Sequence, residues 1–327
     1  MRLSIVSTLY RSSPYLDEFY GRIRRAADTL TGDFEMILVN DGSPDDSLAV
    51  ALRLRETDPR IVIVDLSQNF GHHKAMMCGL RRAQGELVFL VDCDLEEEPE
   101  LLIAFHEKLM ATGADVIYGV QQKRKGHLFE RVSGALFFKV FNFFSTHPIP
   151  ANHLTARLMT RRYVASLCEH REREFVMSGL WALTGYVQVA ISVTKHHKPS
   201  SAYGLRRKFA LLVDAITSFS AKPLVLIFYT GCILVTISGL AALDLIIRRL
   251  FFGVLLEGWA SLIVSIWLLG GITIFWLGVI GIYLSKIFTE VKQRPHAIIR
   301  AIHGPDASLP TTRADGLNPQ ARAADEI

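Results

Sequence analysis

Two runs without a charged residue, Leu224–Leu243 and Gly258–Ser285, constrain this chain more than any other feature. At 1.5 Å per residue, helices over these runs reach roughly 30 and 40 Å, enough to cross the hydrocarbon core of a bilayer. Buried helices of a soluble domain are the alternative, but such helices seldom run beyond about 20 residues without a polar face. The runs are therefore read as two transmembrane helices, over about 223–245 and 258–285. Half of the 327 residues are hydrophobic, yet the first 200 carry charges at ordinary globular density, so the apolar excess lies downstream of a soluble domain.

Lysine and arginine near the helix ends set the expected orientation. Arg206, Arg207, Lys208 and Lys222 precede the first run, Lys286, Lys292, Arg294 and Arg300 follow the second, and Arg248 and Arg249 lie between. The positive-inside bias places both termini and the soluble domain on the cytoplasmic side of the inner (plasma) membrane, as a multi-pass protein. The N-terminus reaches Arg11 and Asp17 too soon for a signal-peptide core. Cys78, Cys93, Cys168 and Cys232 lack metal-type spacing and fit a reduced compartment. The formal charge of +4 is too small to point to nucleic acid.

Short, β-branched runs at Leu3–Val6, Met36–Val39, Ile61–Leu66 and Leu87–Val91 read as buried parallel strands, and Val116–Val120 as a further strand. Helical patterns at Tyr15–Leu30, Ser47–Glu56 and His73–Ala83 alternate with them, which predicts an α/β sheet covered by helices on both faces. In such sheets ligands bind beyond the carboxyl ends of the strands. A phenylalanine-rich segment with Arg131 and Lys139, about 128–145, is expected to lie flat at the membrane interface, although a core helix has the same composition. The expected organisation is a catalytic domain over 1–203, an interfacial helix over 204–221, the two spans and a juxtamembrane segment over 222–303, and a disordered tail over 304–327.

The strand Leu87–Val91 runs into Asp92-Cys93-Asp94. Side chains two apart on an extended chain project to the same side, so both carboxylates can share one hard cation with an anionic diphosphate. The alternative is an N-cap and acidic first helical turn, since Glu96, Glu97, Glu98 and Pro99 follow. Two further polar turns fall at the same sheet edge: Asn40-Asp41-Gly42-Ser43, whose carboxylates can accept bonds from a base or ribose, and Ser67-Gln68-Asn69-Phe70-Gly71, whose glycine permits a tight turn. His72 and His73 are read as surface histidines.

The order of these turns, the Asp-Cys-Asp-Leu-Glu motif, a basic stretch and Ile216-Thr217-Ser218-Phe219-Ser220 before two spans resembles the polyprenyl-phosphate glycosyltransferases of glycosyltransferase family two. These are similar to dolichol-phosphate mannose synthases and bacterial undecaprenyl-phosphate sugar transferases, and the likeness covers roughly residues 3–300. It implies a GT-A (Rossmann-like) fold, a nucleotide-sugar donor, a polyprenyl phosphate acceptor held among membrane lipids, Mg2+ or Mn2+, and a homo-oligomer such as a tetramer. Asp92 and Asp94 match the metal-binding aspartates, with Glu96 a further metal contact where the family commonly has Gln. Asn40 and Asp41 match the nucleoside-binding pair, and Tyr10, Asn69 and Gly71 complete the implied donor site. Arg131, Ser201 and Tyr203 match residues near the lipid phosphate, where Ala202 replaces a lysine. Arg124, Arg206 and Arg207 are candidates to supply the missing charge.

The family's Asp-x-Gly-Asp-Phe-Arg-Leu segment reads here Asn152-His153-Leu154-Thr155-Ala156-Arg157-Leu158, so Arg157 survives as a catalytic candidate while Thr155 stands where an acid is expected. A hydroxyl acceptor needs a base, whereas a phosphate oxygen is already anionic. Thr155 therefore favours inverting transfer of a single sugar to a lipid phosphate, supplying a lipid-linked donor for cell-envelope glycans. The alternatives are a hydroxyl-acceptor glycosyltransferase and a non-catalytic membrane paralogue.

Overall fold

A computed structural model describes residues 2–121, 152–193, 213, 217, 222–252 and 258–305. Arg124, Arg131, Ser201, Tyr203, Arg206 and Arg207 lie outside the described residues, as do the 128–145 segment, nearly all of 204–221 and the tail beyond 305.

The chain begins with β1 (Leu3–Leu9), α1 (Ser13–Asp28), β2 (Phe34–Asn40), α2 (Ser47–Thr57), β3 (Ile61–Leu66), α3 (His72–Arg82), β4 (Leu87–Leu90) and α4 (Leu101–Thr112). Then come β5 (Val116–Gln121), β6 (His153–Thr160), α5 (Arg161–Glu169), α6 (Met177–Thr184) and β7 (Gln188–Val193). After α7 (Lys222–Phe252) and α8 (Trp259–Val291), a last strand, β8 (Ile299–His303), closes the described chain.

Every residue of β1, β2, β3 and β4 is buried, because helices cover both faces of the sheet and leave no solvated side for alternation. On one face α1 and α4 bring Leu16, Phe19, Leu102 and Phe105 against Leu3, Ile5 and Met36. On the other, α3 and α5 bring Met76, Leu80, Tyr163 and Leu167 against Val6, Ile37 and Val88. The eight strands run in the order β7-β5-β6-β4-β1-β2-β3-β8. β1 pairs in parallel with both β2 and β4, and β2 with β3, while β6 is antiparallel to β4 and β5. The sheet is thus mixed, with the parallel arrangement expected from the sequence confined mainly to β1–β4. That shared direction brings the segments after Leu9, Asn40, Leu66 and Leu90 to one edge.

Two helices are long and apolar enough to cross a membrane, over Lys222–Leu240 and Ser265–Val291. None of either window is buried by protein, and Trp267 and Ile274 are 80% and 72% exposed. An apolar surface of that extent without protein cover is suited to lipid. Past α8 the chain turns at Gln293, whose φ is 47°, and returns to the sheet as β8, antiparallel to β3. Five residues including Arg300 and His303 carry no apolar run, so this strand is not visible as one in the sequence. Its hold on the sheet comes from Ile302, buried in the core, and from Arg300, whose Nε and Nη2 donate to the Asp65 carboxylate at 2.8 and 3.1 Å. The end of α8 is tied down as well, with Glu290 accepting the Arg173 backbone N–H at 2.7 Å.

Candidate active site

The turns after β2 and β3 are locked together by the acidic residues at their start. Asp41, buried, accepts the N–H of Phe70 at 2.7 Å through one oxygen and that of Gly71 at 3.1 Å through the other. Burial raises its pKa, and these two N–H groups work against that rise. Asn40 donates to Asp65 at 2.8 Å and accepts from the Ser43 N–H at 3.2 Å, so the Asp65 carboxylate joins Asn40 to Arg300 on β8. The backbones of the two turns nearly touch: a Cβ on Gly42, whose φ is 56°, would stand 2.4 Å from the carbonyl carbon of Gln68. Asp45 caps the arrangement. Burial alone would raise its pKa, but hydrogen bonds from Ser43, Ser47 and Ser13 hold it well below the ordinary carboxylate range. Tyr10 and Asn69 are exposed at the rim of this edge.

Asp92 and Asp94 follow β4 at the same edge. Both are partly exposed while Cys93 between them is buried, its thiol on the Thr8 carbonyl at 3.2 Å, so the two carboxylates share the side away from the core. Burial pushes the Cys93 thiol up to about 11, which keeps it protonated. The acidic-cap alternative fails on position, because α4 starts at Leu101 with Glu100 as its cap and has no acidic residue in its first turn. Asp94 instead accepts the Glu96 N–H at 3.0 Å, next to Leu95 with a left-handed φ of 61°.

His72 is not a detached surface histidine. Its Nδ1 lies 3.0 Å from Thr8 Oγ1 and its Nε2 lies 3.4 Å from Asp92 Oδ1. Burial lowers its pKa, and a neutral ring with its hydrogen on Nε2 satisfies both neighbours. Beside it is a cavity of about 110 Å3 lined by His72, His73, His153, Thr155, Ser178 and Trp181, among others.

Two buried charges brace residues that line this cavity. Glu97 accepts the backbone N–H groups of Thr155 at 3.0 Å and Ala156 at 2.6 Å, drawing β6 against the loop that carries Asp92 and Asp94. Arg157 is wholly enclosed; it donates to the carbonyls of Thr155 and Leu154 at 3.3 and 3.4 Å, and its guanidinium carbon lies 3.0 Å from the centre of the Trp181 ring. Burial pulls its pKa down, and Tyr163 and Glu97 oppose the fall. Arg157 thus supports the Trp181 wall and does not line the cavity.

Among the described residues no group of three or more His, Cys, Asp or Glu forms a ready-made metal cage. Two carboxylates at the edge nevertheless fit Mg2+ or Mn2+, hard cations that are often held by one or two carboxylates together with substrate phosphates and water. The structure brings Tyr10, Asn40, Asp41, Asn69, Gly71, Asp92, Asp94 and Glu96 to one edge, with Arg157 beneath. Sequence reasoning overlooked Glu97, Thr8, Asp65 and Trp181, and, while His72 is exposed as expected, it missed that residue's contacts with Thr8 and Asp92; the one available signal was that His72 opens α3 directly after Gly71.

Residues 4–167 match the profile of Glycosyl transferase family 2. A Mycobacterium tuberculosis (strain CDC 1551 / Oshkosh) protein provisionally named a glycosyltransferase is 54% identical over 306 residues, which are 94% of this chain and 90% of that one. The chain belongs to glycosyltransferase family 2. The SfII prophage-derived bactoprenol glucosyl transferase of Shigella flexneri is a further relative of this family 2 enzyme, 32% identical over 93% of this chain and 99% of its own. Among solved structures, the mannosyltransferase PcManGT from Pyrobaculum calidifontis, in complex with GDP-Man and Mn2+, overlays with a TM-score of 0.47 at 20% identity, covering 65% of this chain and 62% of that one. Family membership gives the α/β domain its GT-A class, followed here by the two apolar helices.

Proposed function

We propose that this family 2 enzyme transfers one sugar from a nucleotide-diphosphate sugar to a polyprenyl phosphate at the cytoplasmic face of the membrane. The observation that carries this reading is the cavity beside Asp92, which holds Thr155 and no carboxylate among its described lining residues. An acceptor oxygen attacking from there must arrive already ionised or lose its proton to a histidine. Burial lowers the pKa of His72 and holds that of His73 at about 4, which leaves His73 a weak base. A phosphate acceptor needs neither. Its oxygen forms the new bond to the anomeric carbon as the bond to the diphosphate oxygen breaks, the nucleoside diphosphate departs with that electron pair, and inversion results.

Asp92 and Asp94 would hold a divalent cation, which supplies positive charge to the departing diphosphate. His72 fixes Asp92, and through Thr8 it links the carboxylate to β1. Tyr10, Asn40, Asp41, Asn69 and Gly71 form the donor side. Arg124, Arg131, Ser201, Tyr203, Arg206 and Arg207 are assigned to the lipid phosphate from the sequence. The relative named as a bactoprenol glucosyl transferase, similar along 93% of this chain, supports the lipid-phosphate acceptor.

The test compares lipid usage with donor binding. Arg131→Ala should reduce turnover at limiting undecaprenyl phosphate by about ten- to a hundredfold, the worth of one charge-assisted phosphate contact, with donor affinity unchanged. A defect confined to donor binding would promote the hydroxyl-acceptor reading, in which a histidine of the cavity lining would have to take the acceptor's proton.

A further inference from the structure

A second cavity, of about 260 Å3, lies where the catalytic domain meets the end of α8. Lys74 in the first turn of α3, Arg173 ahead of α6, and Lys292 and Arg294 beyond α8 line it, against a single acidic lining residue, Glu174. Glu174 is occupied with Lys74 at 3.2 Å, while Arg173, Lys292 and Arg294 pair with no carboxylate among the described residues. Even with the Glu290 carboxylate on the Arg173 and Glu174 N–H groups counted beside Glu174, the four cations leave the described lining with net positive charge.

His296 forms part of its wall and is only 8% exposed, yet its Nδ1 has no hydrogen-bond partner among the described residues. A buried ring nitrogen left unpaired is destabilising unless a ligand or water satisfies it. The ring stacks at a tilt against Phe175, with centroids 5.7 Å apart, which fixes its direction. Burial, together with Arg81, Arg173 and Lys74, lowers its pKa to about 4, so it is neutral and can offer an N–H to an anion. Phe288 adds an apolar wall and belongs to the window of α8 long enough to cross a membrane, so with α8 in the membrane the cavity would open near headgroup depth.

We propose that this cavity binds the phosphate headgroup of an anionic membrane phospholipid, at a site separate from that of the acceptor. The phosphodiester oxygens accept from His296 and from the arginine and lysine side chains, while the acyl chains follow Phe288 along α8. Cation-rich pockets at the cytoplasmic ends of membrane helices suit anionic headgroups in general. Phe70 connects the pocket to the donor side, since it lines this cavity while its N–H is held by Asp41. A bound headgroup would therefore steady the turn that carries Asn69 and Gly71. The inference rests on α7 and α8 lying in the membrane and needs no particular acceptor.

The test uses the full chain purified in detergent, with retained lipid counted by native mass spectrometry after incubation with phosphatidylglycerol or phosphatidylcholine. Phosphatidylglycerol should be retained at least about tenfold more tightly, and the Lys292→Ala/Arg294→Ala double variant should lose that preference, each direct contact being worth about tenfold. A Lys292→Arg/Arg294→Lys variant should keep it, and nucleotide-sugar affinity of the alanine variant at saturating lipid should stay within about twofold of wild type, the span of an ordinary surface substitution. Equal retention of the two lipids, or a preference that survives the alanine variant, overturns the proposal. Displacement of phosphatidylglycerol by millimolar inorganic phosphate would assign the cavity to a soluble anion. Selective retention of undecaprenyl phosphate with phosphatidylglycerol ignored would make it the acceptor site, and either result overturns the phospholipid assignment.

Discussion

Replacing Glu97 tests whether the metal-motif loop and β6 are held as one unit. The carboxylate is buried and gives one oxygen to the Thr155 N–H and the other to the Ala156 N–H. Hydrogen bonds to a charged acceptor are worth about 1.5–3 kcal/mol each, so Glu97→Ala should cost roughly 3–5 kcal/mol, a large part of a total stability of about 5–15 kcal/mol. The loss also removes a negative charge beside the enclosed Arg157. Glu97→Gln keeps one acceptor and turns an amide N–H2 toward the other N–H, so about half that cost is expected. Urea unfolding of the full chain in detergent can follow Trp181, the one tryptophan outside α8. Its emission should report the loss of the Arg157 contact as the wall loosens. A Glu97→Gln midpoint indistinguishable from wild type would refute the assignment of Glu97 as the clamp between the two segments.

Three further outcomes follow from particular contacts. Gly42→Ala places a methyl group 2.4 Å from the Gln68 backbone at a positive φ, so donor affinity should fall with a stability loss of roughly 2–4 kcal/mol from overpacking and left-handed strain, read by calorimetric titration and unfolding. Asp58 is held at about 2 chiefly by the Arg60 guanidinium; its stabilisation is full above the ordinary value near 3.8 and is lost as pH falls toward 2. Asp58→Asn should therefore be about 2 kcal/mol less stable than wild type at pH 6, with the gap narrowing to roughly a third of that by pH 2.5, and a gap independent of pH would contradict the ion-pair origin. Cysteine-accessibility labelling should place residues 2 and 305 on the same, cytoplasmic side of the membrane, because β8 pairs with β3 within one sheet; periplasmic labelling of either would contradict the proposed topology.

The parallel half of the sheet was legible because strands buried on both faces are continuous apolar runs, and the spans because charges vanish over Leu224–Leu243 and Gly258–Ser285. The carboxylates of Asp92 and Asp94 were legible because a two-residue alternation survives past the end of β4, with Cys93 inward. What escaped depends on long-range partners. Among Glu96, Glu97 and Glu98, nothing local says which turns inward; the left-handed φ at Leu95 and the waiting N–H groups of β6 decide it. His72 reads as a surface residue until Thr8 and Asp92 are brought beside it by β1 and β4. β8 is held by an ion pair across 235 positions, Arg300 to Asp65, which no periodicity can announce.

The central claim is that an anionic lipid phosphate attacks a donor whose diphosphate is neutralised at Asp92 and Asp94. It is tested most directly by supplying the purified full chain in vesicles with labelled nucleotide-sugars, Mg2+ or Mn2+, and either undecaprenyl phosphate or undecaprenol, then counting label in the extracted lipid. The account predicts label on the phosphate alone, abolished in folded Asp92→Asn and Asp94→Asn variants. Label reaching undecaprenol as readily, or normal turnover by both variants, would contradict it.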